Sequence, residues 1–308
     1  FVETLRAHRG IAIVDADTGT VEQDGLTDPP PSCPVPSPTP PADARFRPET
    51  YAQCLTDDQR DAVQAFESLR TGGGAVVVEA DRGRGKSSAA GLAAGNLAAE
   101  GRDVLVTAPQ YRSAGEVFTR AAHLLELFDV EFARDRTSEP QRLDIAGAGC
   151  VRYAPPAEAA LLPDDPDVVI VDEAAALPVR RLERFLDAPA VAFTTTVHGY
   201  EGAGRGFSVR FRDRLAESDH AVTDVSMTTP IRYGDADPVE VWAFRALLLD
   251  ARPPADQLIA DATPETVEYR QLSTADLLAD EHLLRETFGL LVLAHYRTEP
   301  SDLARLLD

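Results

Sequence analysis

The chain has 308 residues, 44% of them hydrophobic and 6% aromatic, with a formal net charge of −21. That length suits one large domain or two ordinary ones, at roughly 100–200 residues each, with enough apolar material for a sizeable core. No run of about 18 apolar residues occurs, so a membrane-spanning helix is excluded and a cytoplasmic location is expected.

Residues 1–27 read as the end of an N-terminal domain, with one strand-like run from Gly10 to Asp15 and a turn at Asp17-Thr18-Gly19. Residues 28–48 are proline-rich, with Pro29, Pro30, Pro31, Pro34, Pro36, Pro38, Pro40 and Pro41, and are expected to form an extended linker. A helix starts after Leu55 with Thr56 as N-cap and Asp57 and Asp58 in its first turn, and Gly72-Gly73-Gly74 ends it. Short apolar runs at residues 75–80, 103–107, 168–171 and 191–196 predict buried strands, and helices are expected from Ser87 to Ala99 and from Ser113 to Leu127. Strands alternating with helices predict an α/β fold with a mostly parallel sheet, covered on both faces, over residues 49–260. Beyond Pro254 the pattern shifts: a strand at 266–272, a helix from Thr274 to Phe288 and an apolar run at 290–294 predict a second domain from residue 264 to 308. Phe1 is not an initiator Met, and the chain stops at Leu306-Leu307-Asp308 inside an amphipathic pattern, so the reading is of a fragment.

Fifty-one acidic residues face thirty basic ones. In concentrated salt a carboxylate-rich surface stays hydrated while its self-repulsion is screened, so the composition fits a salt-adapted globular protein. All the basic residues but one are arginine, and that one is Lys86. Cys33, Cys54 and Cys150 lie far apart with no CxxC pair, which excludes a zinc ribbon or a disulfide framework and leaves free thiols.

Lys86 sits in Ala80-Asp81-Arg82-Gly83-Arg84-Gly85-Lys86-Ser87, between a predicted strand and a predicted helix. This is a P-loop pattern with Ala80 where glycine is usual. Its glycines let backbone N–H groups curl around phosphate oxygens, and the helix N-terminus adds positive potential. Lys86 would reach the β- and γ-phosphates of a nucleotide, and Ser87 would hold Mg²⁺. The strand 168–171 delivers Asp172 and Glu173 at its C-terminal end, where a parallel sheet places its site. Asp172 is expected to serve Mg²⁺ through water, and Glu173 to orient and deprotonate the attacking water.

Gln59, whose amide suits an adenine edge, lies just upstream of the loop. Arg205 and Arg232 are both candidates for a γ-phosphate contact, and position alone does not choose between them. The glycine-rich stretch 199–206 is a candidate coupling loop. His198 and His295 have no Cys or carboxylate at ligand spacing, so they read as a loop histidine or an RNA contact. Arg180-Arg181 and Arg210, Arg212 and Arg214 are candidate RNA contacts or solvated helix faces.

In combination, several stretches resemble the tRNA(Met) cytidine acetyltransferase family. They are Leu55-Thr56-x-x-Gln59, the loop 82–87, Asp172-Glu173-Ala174-Ala175-Ala176-Leu177-Pro178, and the stretch from Thr195 to Phe207 with His198-Gly199-Tyr200-Glu201-Gly202 within it. Pro230-Ile231-Arg232-Tyr233 with Asp237-Pro238, and Ala294-His295-Tyr296-Arg297-Thr298 with Pro300-Ser301-Asp302-Leu303, complete the set. The resemblance spans about residues 50–308. It implies a P-loop RecA/RecD-like helicase module followed by the truncated start of a GCN5-related acetyltransferase domain. It also implies use of ATP with acetyl-CoA to acetylate cytidine in RNA, at the wobble base of elongator tRNA(Met). The family's ATP contacts carry over onto Gln59, Gly83, Arg84, Gly85, Lys86, Ser87, Ser88, Ala89 and Arg232, which favours Arg232 over Arg205. The acetyl-CoA pyrophosphate loop is expected beyond Asp308, and the composition fits a haloarchaeal member. The competing readings are a free-standing RNA helicase or translocase, which would need a second complete RecA-like lobe, and a nucleotide-gated RNA-binding module without turnover.

Overall fold

The computed structural model describes residues 11–25, 38–135, 139, 141–196, 211–235, 237–249, 262–294 and 300–307. Those between 38 and 196 and between 211 and 235 form one compact unit, and the remainder form another.

Strands β1 (Ala12–Val14) and β2 (Val21–Asp24) belong to the second of these units; in the first, α1 (Pro48–Ala52) and α2 (Asp57–Phe66) lead into β3 (Gly74–Ala80), α3 (Lys86–Ala99), β4 (Asp103–Thr107) and α4 (Tyr111–Leu127). Then come β5 (Phe132–Arg134), β6 (Arg142–Ile145), β7 (Cys150–Tyr153), α5 (Pro156–Ala159), β8 (Val168–Val171), α6 (Val179–Phe185), β9 (Val191–Thr196), α7 (Arg212–Ala216) and β10 (Ala221–Met227). The sheet order is β10-β3-β9-β8-β4-β7-β6-β5. All pairings from β10 to β7 are parallel, and β7-β6-β5 adds an antiparallel edge.

The apolar runs became the middle of this sheet because they can be buried on both faces. Val76 to Val78, Val168 to Val171 and Val191 to Phe193 are fully buried. The alanine-rich α3 is buried on nearly every side, and small residues let its backbone approach α4. A Cβ on Gly91 would stand 2.5 Å from the Val117 carbonyl oxygen, closer than any real side chain sits. At the outer edge β10 is mostly exposed, so its sequence carries no continuous apolar run and the strand was not anticipated.

The last part of the proline-rich stretch departs from the expected linker. Phe46 is buried, and the backbone N–H groups of Arg45 and Phe46 both donate to Glu67 Oε1 at 2.7 Å. Thr50 adds a hydroxyl bond to Asn96 Oδ1 at 3.0 Å, which ties this segment to α3.

In the other unit, β1 (Ala12–Val14), at the expected strand-like run, pairs antiparallel with β2 (Val21–Asp24) as a hairpin. Its helices are α8 (Pro238–Ala246), α9 (Thr274–Ala279), α10 (Glu281–Ala294) and α11 (Pro300–Leu307). Leu248, Phe288 and Leu303 make its small buried cluster. Two expectations fail here. Residues 266–272 form no strand, because no described segment pairs with them and a lone strand gains no ladder bonds; Val267 and Tyr269 are exposed. The helix expected from Thr274 to Phe288 breaks at Asp280, whose backbone is extended, and resumes through the apolar run to Ala294. No helix among the described residues is long and apolar enough to cross a membrane.

Candidate active site

The P-loop follows β3 directly. Ala80 is the last residue of that strand, paired in register with Thr196, so its backbone is extended and has no need of glycine. The left-handed positions come later, at Gly83 (φ 77°) and Gly85 (φ 91°). Gly85 is the N-cap of α3 and supplies no capping side chain, so N–H groups of the first turn remain available to an anion. Lys86 and Ser88 are nearly buried in that turn. The Ala89 N–H bonds the Gly85 carbonyl at 2.9 Å and its side chain is fully buried, so it shapes the first turn of α3.

Strand order brings the acids to the loop. Between β3 and β8 lies β9, and the register that pairs Val171 with Phe193 sets Asp172 beside Thr194. The Thr194 hydroxyl donates to Asp172 Oδ1, which also accepts from the Glu173 N–H at 3.1 Å. Two residues on, the Thr196 hydroxyl donates to Glu173 Oε2 at 3.0 Å. Lys86 Nζ meets the other oxygen, Oε1, at 2.9 Å. Glu173 is held at φ 51°, a left-handed conformation costly for a residue with a side chain and typical of functional sites.

Asp172 is fully buried, and burial pushes its carboxyl above the usual carboxylate range. The Thr194 bond opposes that shift, the Glu173 charge adds to it, and the Ser87 hydroxyl and Lys86 oppose it more weakly. Oδ2 of Asp172 has no hydrogen-bond partner among the described residues. A buried carboxylate oxygen left open beside a serine hydroxyl fits a divalent cation. No cluster of three or more His, Cys, Asp or Glu suited to a metal exists among the described residues. Phosphate oxygens would therefore have to complete such an ion's shell.

Gln59 is fully buried behind the loop. Its Nε2 donates to the Gly85 carbonyl at 3.3 Å, and its Oε1 accepts from the Leu55 N–H at 2.7 Å. Its position follows from the α2 cap, where Thr56 accepts from the Gln59 N–H as expected. The segment after β10 closes on the loop from the other side. Ile231 N–H donates to the Gly83 carbonyl at 3.1 Å, and Arg84 Nη1 donates to the Tyr233 hydroxyl at 2.8 Å. Arg232, exposed, stands between those two ties.

Gln59, the loop 83–88, Asp172, Glu173 and the Arg232 segment therefore meet in one place. Arg205, His198, His295, Arg210 and the stretch 199–206 lie outside the described residues. Arg212 is paired with Glu79 and Asp224. No site role falls to Thr194, Thr196, Asp58 or Tyr233 in the sequence, although Thr196 and Tyr233 stand within the stretches that carry the resemblance. The signal for Thr194 was its place at the end of a buried strand.

A strand, a glycine loop and a helix, with an acid pair presented two strands away, define a P-loop domain of the expected RecA/RecD-like kind. Residues 77–250 match the family described as RNA cytidine acetyltransferase NAT10/TcmA, helicase domain, and the chain belongs to that family. It is 89% identical, over its whole length, to the tRNA(Met) cytidine acetyltransferase TmcA of Haloarcula marismortui, of which it covers 40%. It is 63% identical over its whole length to the protein of the same name from Haloferax volcanii, of which it covers 41%. The chain thus spans about two fifths of the length of these curated relatives. Among solved structures, a large terminase from a thermophilic bacteriophage superposes with a TM-score of 0.45 at 12% identity, over 62% of this chain and 49% of that one.

Proposed function

We propose that this chain is the ATP-hydrolysing part of an RNA cytidine acetyltransferase. The observation that carries the reading is the meeting of the chain's one lysine with Glu173 at 2.9 Å, beside a buried Asp172 whose Oδ2 is open.

The triphosphate of ATP lies along Gly83, Arg84, Gly85 and the first turn of α3, where N–H groups and the helix dipole favour negative charge. Lys86 turns from Glu173 to the β- and γ-phosphates. Glu173, relieved of its cation, accepts a proton from the water that attacks the γ-phosphorus; the bond to the β–γ bridging oxygen breaks, and ADP and phosphate leave. Arg232 neutralises charge developing on the transferred group. Ser87 and Asp172 would hold Mg²⁺, which supplies charge neutralisation at the β- and γ-oxygens when bound. Gln59 holds the loop through Gly85, and a base contact through the same amide would couple adenine recognition to loop geometry.

The relatives' name implies acetyl transfer to cytidine in tRNA(Met), and this chain supplies the energy-coupling step for it. Acetyl-CoA is taken by parts of the longer protein, with residues 264–308 opening that domain after the ATPase domain of residues 49–260. Hydrolysis presents a cytidine to the acetylating site, which needs the base unstacked, in the cytoplasm. A free-standing helicase is the weaker reading, because the matched family is that of the acetyltransferases.

The test uses the full-length protein with acetyl-CoA, ATP and structured tRNA in molar KCl. Lys86→Ala is expected to lose acetylation together with ATP turnover. Acetylation at the wild-type rate by Lys86→Ala contradicts the coupling.

A further inference from the structure

Two consecutive side chains at the start of α2 hold opposite walls of the phosphate site. Gln59 holds the P-loop through the Gly85 carbonyl at 3.3 Å. Asp58 holds the segment that carries Arg232. Its Oδ2 accepts from the Thr228 N–H at 2.7 Å, the Thr229 N–H at 2.8 Å and the Thr228 hydroxyl at 3.2 Å. Burial works against ionisation of Asp58, yet the bonds from Thr229 and Thr228 outweigh it and hold the carboxyl below its usual range.

Thr228 and Thr229 follow directly on β10, and Pro230, with its fixed φ, passes their placement to the next residues. Ile231 then bonds Gly83, and Tyr233 bonds Arg84. Those two ties run through the P-loop, whereas the tie to Asp58 runs to α2 and anchors the segment independently of the loop. Removing it leaves two backbone donors without their acceptor and frees the end of the segment nearest β10.

We infer that Asp58 is a positioning residue for phosphoryl transfer, acting through Thr228 and Thr229 to set where Arg232 meets the transferred phosphate. This rests on the reading of the site as an ATPase. A displacement of about 1 Å at a charge-stabilising group costs about 100-fold in rate, so a tie remote from the nucleotide still governs turnover.

The experiment is a double-mutant cycle on the full-length protein in molar KCl, with ATP turnover and the Kd of a fluorescent ADP read separately. Asp58→Ala is expected to lower kcat about tenfold or more while ADP affinity stays within about twofold. Asp58→Asn, which keeps a carbonyl acceptor, is expected to recover most of the rate. Asp58→Ala combined with Arg232→Ala is expected to be no slower than Arg232→Ala alone, because a misplaced arginine and a missing one remove the same interaction. Wild-type kcat in Asp58→Ala, or single effects that multiply in the double variant, overturns the assignment. Should Asp58→Ala not fold, Thr229→Pro removes one donor of the same tie and takes its place in the cycle, with the same two results deciding. If the wild-type protein turns over ATP and Arg232→Ala is impaired, failure of the cycle falls on Asp58 alone. A wild-type protein without turnover overturns the ATPase reading and this assignment with it.

Discussion

Lys86 Nζ lies 2.9 Å from Glu173 Oε1, and the Thr196 hydroxyl holds the second oxygen of the same carboxylate at 3.0 Å. Both oxygens of the proposed base are therefore engaged. In the proposed mechanism a γ-phosphate that draws Lys86 away would free Oε1 for a water proton, so arrival of the substrate and release of the base would be one event.

If ATP must displace that pair, removing the charge of Glu173 makes binding easier. Glu173→Gln is expected to bind a non-hydrolysable ATP analogue about two- to fivefold more tightly than wild type, the scale of a partly exposed ion pair. Equilibrium titration checks this; weaker binding would mean that the pair does not compete with the nucleotide.

Asp172 illustrates stability given up for chemistry. A fully buried carboxylate with its pKa raised costs the folded state most when ionised, so its contribution to stability is lost as pH rises through the raised value. Asp172→Asn removes the group whose ionisation burial opposes and keeps an acceptor for Thr194. Its thermal midpoint is expected to rise by about 2–4 °C, while Mg-dependent turnover is lost. A fall in midpoint would show that the carboxylate is compensated in the resting protein.

Gly85 is the residue that the loop can least replace. Its φ is 91°, and an added Cβ would lie 2.9 Å from Gln59 Nε2. Gly85→Ala therefore strains the backbone and pushes on the buried amide that supports it, at a cost of about 1–3 kcal/mol. Nucleotide affinity is expected to fall by tenfold or more, on the order of that strain energy. Gly83→Ala, with open space around its Cβ, suffers only the backbone penalty and is expected to lose less. Equal losses in the two variants would show that Gln59 does not support the loop.

Burial pushes the Cys54 thiol up to about 12 and the Cys150 thiol up to about 11. Neither is a thiolate at pH 8, so both should resist iodoacetamide in the native protein and react after unfolding. Because unfolded thiols ionise near 9.0, the stability that Cys54 contributes is present below that value and is lost as pH rises from there towards 12. Mass spectrometry of the alkylated protein reads both sites; native labelling at Cys54 would place it nearer the surface.

The central strands and the P-loop were legible because their side chains are buried on both faces and their glycines are spaced by the loop's own geometry. Strand order was not legible. Nothing in Val191 to Thr196 says that it lies between β3 and β8, and only that placement turns Thr194 and Thr196 into partners of the acids. For the same reason β10 was missed: an exposed edge needs no apolar run, although Val222, Thr223 and Val225 carried a β-branched signal. Gln59 reads in the sequence as a base contact; its bonds to Gly85 and Leu55 depend on tertiary contact and were not legible there. The strand expected at 266–272 alternates as strands do, yet alternation supplies no partner.

The most direct test is steady-state ATP hydrolysis in molar KCl by this chain, with Lys86→Ala as the blank and Glu173→Gln beside it. Turnover is expected in the wild type, with a loss of about 100-fold or more in each variant and with Glu173→Gln still binding ATP. Turnover by Glu173→Gln at the wild-type rate would contradict the assignment of Glu173 as the base and, with it, the mechanism built on its contact with Lys86.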